Sequence, residues 1–289
     1  MKIAVQTESL EPYKEAVLSD CEKMRFGPEF CDLKIPDLKT LRLAHKLAED
    51  AGKEFAYVTP PISNPNLEKI RGSLSFLDKL GSIEVIVNDL GVLRLLKKYQ
   101  HLEPHLGRLR VYIPGRCPWS QITRMPNISY FSRKRVEQIF YQTALNYEPT
   151  IKFYKEMGVQ AADVDWIPQS FKHYKELVQN GTRLSVHTYL VPVAVTRRCH
   201  TARLLREPQP TRCPRPCLNK AYRLKQETVG ADFFLNGNVV FRYSEPQRDD
   251  LKKLSNMGNV EVVVTVGDLA EAVTERGLER TIMGLRGEV

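Results

Sequence analysis

The stretch EFAYVTPPISNPNLEKIRGSLSFLDKLGSIEVIVN, Glu54–Asn88, decides the fold. It opens on a run rich in aromatic and β-branched residues, Glu54–Thr59, and closes on another, Ile83–Asn88. Both are near-continuous apolar runs, the pattern of parallel strands buried on both faces. Between them Leu67, Ile70, Leu74 and Leu77 recur at helical spacing, and Gly81 marks the helix end. A strand, a helix and a second strand of this kind pair in parallel through a right-handed crossover.

Working outward, the unit repeats. Further strands are predicted at Lys2–Gln6, Lys23–Phe26, Arg108–Ile113, Ala161–Trp166 and Arg183–Leu190. Asp37–Gly52 reads as a helix with Leu41, Ala44, Leu47, Ala48 and Ala51 on one face, capped by Asp37 and closed by Gly52. Phe171, Tyr174, Leu177 and Val178 mark another, ending at Gly181. Seven strands precede residue 190, and neither GxGxxG nor a Walker loop is present. A TIM-type (β/α) barrel is therefore expected in preference to a dinucleotide-binding sheet.

After the seventh strand the pattern loosens. Arg197–Pro216 is rich in Arg, Pro and Cys, and Phe233–Tyr243 reads as a hairpin around Asn236–Gly237. Pro246 sits at the start of a helix through Leu251 and Leu254, Val260–Val266 is a last strand, and Asp268–Gly277 a last helix. There is no internal repeat. One elaborated barrel domain over residues 1–289 is expected, its core about 1–195 and its cluster loop and C-terminal elements about 196–289.

The six cysteines in 289 residues are too sparse for a disulfide-stapled secreted scaffold. MKIAVQTESLEPYKE turns polar by Gln6 and has no apolar core of a signal peptide. No apolar run approaches the ~18 residues that span a bilayer. A cytoplasmic protein without a membrane span is expected.

Three cysteines fall together as C-x13-C-x3-C: Cys199, Cys213 and Cys217. In a cytosolic chain such grouping points to a metal or cluster, and Pro214 and Pro216 pre-order the loop that carries two of them. A closed site needs a fourth ligand. Cys21 precedes the second strand and belongs to the opposite end of a barrel, whereas Cys31 and Cys117 both follow strand C-termini, where barrels assemble their sites. Strand order leaves both open. The single short pair, with its partners far away, suits an iron–sulfur cubane better than the paired knuckles of structural zinc, though ligand type alone allows either.

FGPEFC (Phe26–Cys31), NDLG (Asn88–Gly91), HTYLVPVAVTRRCHTARL (His187–Leu204) and RCPRPC (Arg212–Cys217) together resemble peptidase family U-thirty-two. Its collagenase-like members include RNA-hydroxylation proteins and the paired ubiquinone-hydroxylation proteins of anaerobic bacteria. The resemblance covers roughly residues 1–225 and is weak beyond them. It implies a TIM-type barrel with a 4Fe–4S cluster on four cysteines. One ligand pattern of the family places cysteines where this chain has Arg206 and, near Lys252, none. The other, found in one partner of the ubiquinone-hydroxylating pair, matches Cys31, Cys199, Cys213 and Cys217. Cys31 as fourth ligand is thus implied by the resemblance. So are oxygen-independent hydroxylation of an aromatic ring and a paralogous partner chain as heterodimer. Two alternatives are an RNA-modifying protein of the same family and a non-catalytic partner subunit whose cluster is structural.

Charge is concentrated beside the cysteines. Thr196–Lys225 holds nine Lys and Arg against Glu207 alone, so it carries +8 of the chain's +9. Such charge can offset an anionic cluster and hold a carboxylate or phosphate. Arg197 and Arg198, adjoining Cys199, are the expected anion-binding pair. Nucleic acid is possible but not favoured, because Tyr222 is the one aromatic in the stretch and single-strand binders supply stacking platforms. Asn88, Asp89 and His187 end strands on the site-forming face and complete the candidate substrate-binding set; Asp89 could equally cap a helix, and Glu29 is similarly placed. HLEPH (His101–His105) fails as a zinc-protease motif, since its Glu is not beside the first His and Pro104 breaks the required helix. No GxSxG elbow appears, so peptidase activity gets no support.

Overall fold

A computed structural model describes residues 1–117, 129–206, 213–218, 220–225, 232–267 and 277–287. The predicted helix over Asp268–Gly277 falls, but for its last residue, outside these, as does Arg212.

Eight parallel strands close a barrel in the ring order β1-β12-β7-β6-β5-β4-β3-β2. They are β1 Lys2–Thr7, β2 Lys23–Phe26, β3 Glu54–Thr59, β4 Ile83–Val87, β5 Leu102–Leu106, β6 Ala161–Asp165, β7 Arg183–His187 and β12 Val260–Thr265. The closing seam pairs β1 with β12, Lys2 facing Glu261 and Gln6 facing Thr265. Helices α1 Leu10–Ala16, α2 Leu38–Asp50, α3 Leu67–Leu77, α4 Leu90–Leu96, α5 Tyr130–Phe140, α6 Glu148–Glu156 and α7 Phe171–Gln179 connect the first seven strands. Leu41, Ala44 and Ala48 of α2 and Ile70, Leu74 and Leu77 of α3 are buried with Ile3, Val5 and Met24 in the main core, as the helical spacing requires. The Asp37 carboxylate accepts from Thr40 N–H at 2.7 Å, capping α2.

Two predicted strands are corrected. The fifth strand is Leu102–Leu106, not Arg108–Ile113, which follows it as a turn. Pro104 disguises this strand, yet it is tolerated because β6 pairs only with His105 and Leu106 beyond it. Likewise Arg183–Leu190 is not one strand. Tyr189 takes a left-handed backbone with φ 70°, and the chain leaves the barrel there. It enters β8 Tyr189–Val195 of a second, antiparallel sheet of order β8-β11-β10-β9, with β9 Tyr222–Leu224, β10 Phe233–Asn236 and β11 Val239–Ser244. The hairpin forms as expected, its two turn residues being Gly237 and Asn238, one place beyond the predicted Asn236–Gly237. Helix α8 His200–Leu204 lies between β8 and β9, and α9 Arg248–Ser255 precedes β12. Leu278–Arg286 forms α10, and no described helix is long and apolar enough to cross a membrane.

The small sheet covers the barrel mouth. Phe30, Leu190, Val239 and Phe241 form a separate apolar cluster between the two layers, and Asn238 Nδ2 donates to Phe30 O at 3.0 Å. Gly27, which opens the loop to Phe30, has φ +128°, and a Cβ there would stand 2.3 Å from Val58 O. Gly27→Ala is expected to cost at least about 1–3 kcal/mol from backbone strain alone, read as a lower urea midpoint. An unchanged midpoint would show that the loop relaxes.

Candidate functional site

The barrel interior is charged where such interiors are ordinarily apolar. Arg25 Nη2 pairs with Asp163 Oδ2 at 2.5 Å, both side chains fully buried. Because β2 and β6 stand four places apart in a ring of eight, this contact crosses the full width of the barrel. Asp163 also holds His105 Nε2 at 2.7 Å and His187 Nε2 at 3.0 Å. His105 Nδ1 meets Glu84 at 3.0 Å, and Lys23 joins Glu84 at 2.8 Å and Glu261 at 3.0 Å. With His105 protonated, three cations balance three anions. That balance offsets the cost of burying the charges.

His105 makes the layer pH-sensitive. Burial works against its charge, but Asp163 and Glu84 outweigh burial and carry the imidazole up to about 9. Burial and Arg108 lower His187, leaving it neutral on the other side of Asp163. Asp163 and Glu84 are held well below the carboxylate range by their cations against the opposing effect of burial. The folded chain therefore keeps a proton on His105 that the unfolded chain releases near its ordinary value of about 6.5. This stabilisation is complete below that value and is lost as pH rises through about 9. Unfolding free energy is expected to fall by about 1.4 kcal/mol per pH unit inside that window. Urea titrations check it. A flat profile, or a slope that His105→Gln leaves intact, would refute a charged His105.

Above this layer the strand C-termini carry a second one. Arg108 grips Glu29 through Nε and Nη2 at 2.8 and 2.6 Å, and its Nη1 reaches Asp165 at 2.9 Å and Leu190 O at 2.8 Å. Arg116 also pairs with Asp165. Gln6 Nε2 donates to Glu29 at 3.2 Å, while Gln6 Oε1 is buried with no partner among the described residues. Gln6, Glu29 and Arg108 floor a cavity of about 350 Å³ walled by Phe30, Leu190 and Phe241. Cys31, Cys217, Lys34 and Glu8 also line it. Lys34 Nζ binds Glu8 at 2.5 Å.

Strand order places Cys21 at the N-terminal end of the barrel, and the other five cysteines lie elsewhere. Cys21 is buried at the N-terminal end, 3.4 Å from Lys53 Nζ. Cys117 lies near Arg242 on β11 and does not line the cavity. Cys217 is within electrostatic reach of Cys31, Cys199 and Cys213. The hairpin turn abuts the segments that carry three of them. Asn236 Nδ2 donates to Cys217 O at 2.8 Å, Thr201 N–H, two residues after Cys199, donates to Gly237 O at 3.0 Å, and Asn238 holds Phe30 O beside Cys31. Cys199 caps α8, its sulfur 3.4 Å from Ala202 N. Burial pushes the Cys31 thiol up to about 11 and raises Cys217 as well, while Lys34 beside both favours the thiolates. Among the described residues, no three His, Cys, Asp or Glu side chains already stand as a metal-binding group.

The candidate substrate-binding residues scatter. Asn88 is buried and bonded to backbone on both sides, donating to Thr59 O and accepting from Leu109 N–H, each at 3.0 Å. It ties three strand ends together. Asp89 caps α4, accepting from Gly91 N–H at 2.6 Å. His187 belongs to the buried layer around Asp163. Arg197 and Arg198 are exposed and do not line the cavity. Its cations are Lys34 and Arg108, which sequence reasoning missed. Lys34, three residues after Cys31, carried a local signal; Arg108, hidden in a misplaced strand, carried none.

No family model matches this chain, and no curated protein matches it. Solved structures resemble it distantly. A U32 peptidase shares 12% identity at a TM-score of 0.45, over 92% of this chain and 94% of that one. Dihydropteroate synthase from Thermus thermophilus, in complex with 4-aminobenzoate, shares 11% at 0.41, over 100% and 94%. D-psicose 3-epimerase from Clostridium cellulolyticum, with D-tagatose, shares 11% at 0.30, over 100% and 96%. Likenesses this remote say nothing of activity.

Proposed function

We propose that this chain is an iron–sulfur protein that takes part in oxygen-independent hydroxylation of an aromatic ring, alongside a paralogous partner. The observation that supports the reading is that Cys31 and Cys217 line one cavity and Cys199 and Cys213 lie within electrostatic reach of Cys217, with Cys21 and Cys117 elsewhere. Four thiols are a soft donor set, the chemistry of a 4Fe–4S cluster. When bound, such a cluster supplies one-electron transfer or Lewis acidity at the cavity rim.

The chain's own residues do the rest. Lys34 favours the thiolate forms of Cys31 and Cys217, which ligation requires. Phe30, Leu190 and Phe241 offer apolar faces to a planar ring. Gln6 Oε1, buried and unpartnered, accepts a hydrogen bond from a ring hydroxyl, and Arg108, locked by two carboxylates, keeps that floor rigid.

Anaerobic purification and reconstitution with iron and sulfide tests the reading. About four iron per chain are expected, with visible absorbance that dithionite bleaches. Gln6→Leu should retain the iron and lose phenol binding. A protein that takes up no iron overturns the cluster, and one that takes up iron yet binds no phenol overturns the substrate class.

A further inference from the structure

We propose that the basic surface around Cys199 and Cys213 is the docking face for an acidic one-electron carrier protein; this rests on the cluster reading above. Arg197, Arg198, Arg203, Arg206 and Arg215 are all exposed. Among the described residues from 197 to 225, Arg223 alone reaches a carboxylate, Asp232 at 2.8 Å. The other described Lys and Arg of that stretch make no ion pair with a described carboxylate.

The surface is built around the thiols. Arg197 and Arg198 precede Cys199, Arg203 lies on the helix that Cys199 caps, and Arg215 follows Cys213, whose sulfur lies 3.4 Å from Arg215 N. Cys199 and Cys213 are themselves only half-buried, so a group they held would lie close to the surface that carries these arginines. Arg206 and Arg215 adopt left-handed backbone, φ 57° and 59°, where glycine would sit without strain. Both positions keep a side chain at a conformational cost, and neither side chain serves a partner within the described chain.

The surface suits a protein better than a nucleic acid. Leu204 and Leu205 are 55% and 42% exposed between Arg203 and Arg206, and arginine around an apolar centre is the composition of a protein interface. The one nearby aromatic, Tyr222, has Lys220 Nζ over its ring at 5.3 Å and offers no free stacking platform. Opposite charge steers the carrier, and its salt dependence is diagnostic. One electron leaves the carrier's reduced centre, oxidising it, and reduces the group held by the thiolates by one; no bond or proton moves in the step.

The test uses the anaerobically purified full chain and, as probe, an acidic plant-type 2Fe–2S ferredoxin. Arg203→Glu/Arg206→Glu should weaken ferredoxin binding by about tenfold or more at low salt and slow ferredoxin-driven reduction. Iron content and bleaching by dithionite should be unchanged. Lys97→Glu/Lys98→Glu, exposed just past the C-terminal end of α4 and so at the opposite end of the barrel, should alter neither binding nor reduction. Binding that ignores both salt and the arginine reversal overturns the docking face. So does mixed-sequence single-stranded RNA bound more tightly than ferredoxin at physiological salt. A chain without iron refutes the cluster and electron delivery together, whereas a chain with iron and indifferent arginines refutes the docking face alone.

Discussion

Cys217→Ala is expected to abolish iron binding, and Cys31→Ala, Cys199→Ala and Cys213→Ala to remove most of it. Cys217 is the member in reach of the other three, and its carbonyl and sulfur both abut the hairpin turn. A cubane requires a thiolate at each iron, so one missing ligand destabilises the whole group. Cys21→Ala removes a sulfur at the far end of the barrel, and Cys117→Ala one beside Arg242; neither should change the iron count. The measurement is iron and sulfide per chain after anaerobic reconstitution. Cys217 is 6% exposed, so Cys217→Ser serves as the variant that conserves volume. Iron lost with Cys117→Ala but kept with Cys31→Ala would exchange the fourth ligand. Iron indifferent to all six would end the cluster reading.

What could be read from the residues follows the range of the forces involved. Glu54–Thr59 and Lys23–Phe26 stand where local apolar runs put them, and α2 begins at its Asp37 cap. Such features are settled by neighbours within a turn or a strand. The fifth strand was hidden because LEPHL places Pro104 and two polar groups where a buried strand is expected to be apolar. Its polarity has a cause only the closed barrel shows: His105 faces Asp163, and Asp163 faces Arg25 across 138 residues of chain. The end of β7 was hidden for a different reason. HTYLV is strand-like throughout, and only the left-handed Tyr189 moves the chain from one sheet to the next. At the site, adjacency to Cys199 pointed at Arg197 and Arg198, which stand exposed outside the cavity. Folding instead brings Arg108 and Lys34 to the cavity, from β5's C-terminal end and from the loop after β2. Asn88 and Asp89 stood at strand ends as expected, and were taken up by backbone groups that loops of that shape must satisfy.

Asp163→Asn is expected to destabilise the fold by about 3–5 kcal/mol, because it leaves buried cations without their counter-charge. The substitution keeps the shape and removes the charge, so it isolates electrostatics from packing. Arg25, fully buried, then has only Glu261 at 3.9 Å as an ion-pair partner, and His105 retains Glu84 alone. Arg25 cannot neutralise itself. His105 can, and in the variant it should lose its proton at lower pH, so the alkaline slope of stability should flatten as well as shift. Arg25→Met alone should be damaging in the opposite sense, stranding Asp163 between two histidines. The double variant Arg25→Met/Asp163→Asn removes both charges and should be less destabilised than the sum of the singles, by a coupling of about 0.5–3 kcal/mol. Urea unfolding of the four proteins closes the cycle. Strict additivity would mean that the two side chains act independently, and the charged interior would then be a set of separate pairs rather than one neutral layer spanning the barrel.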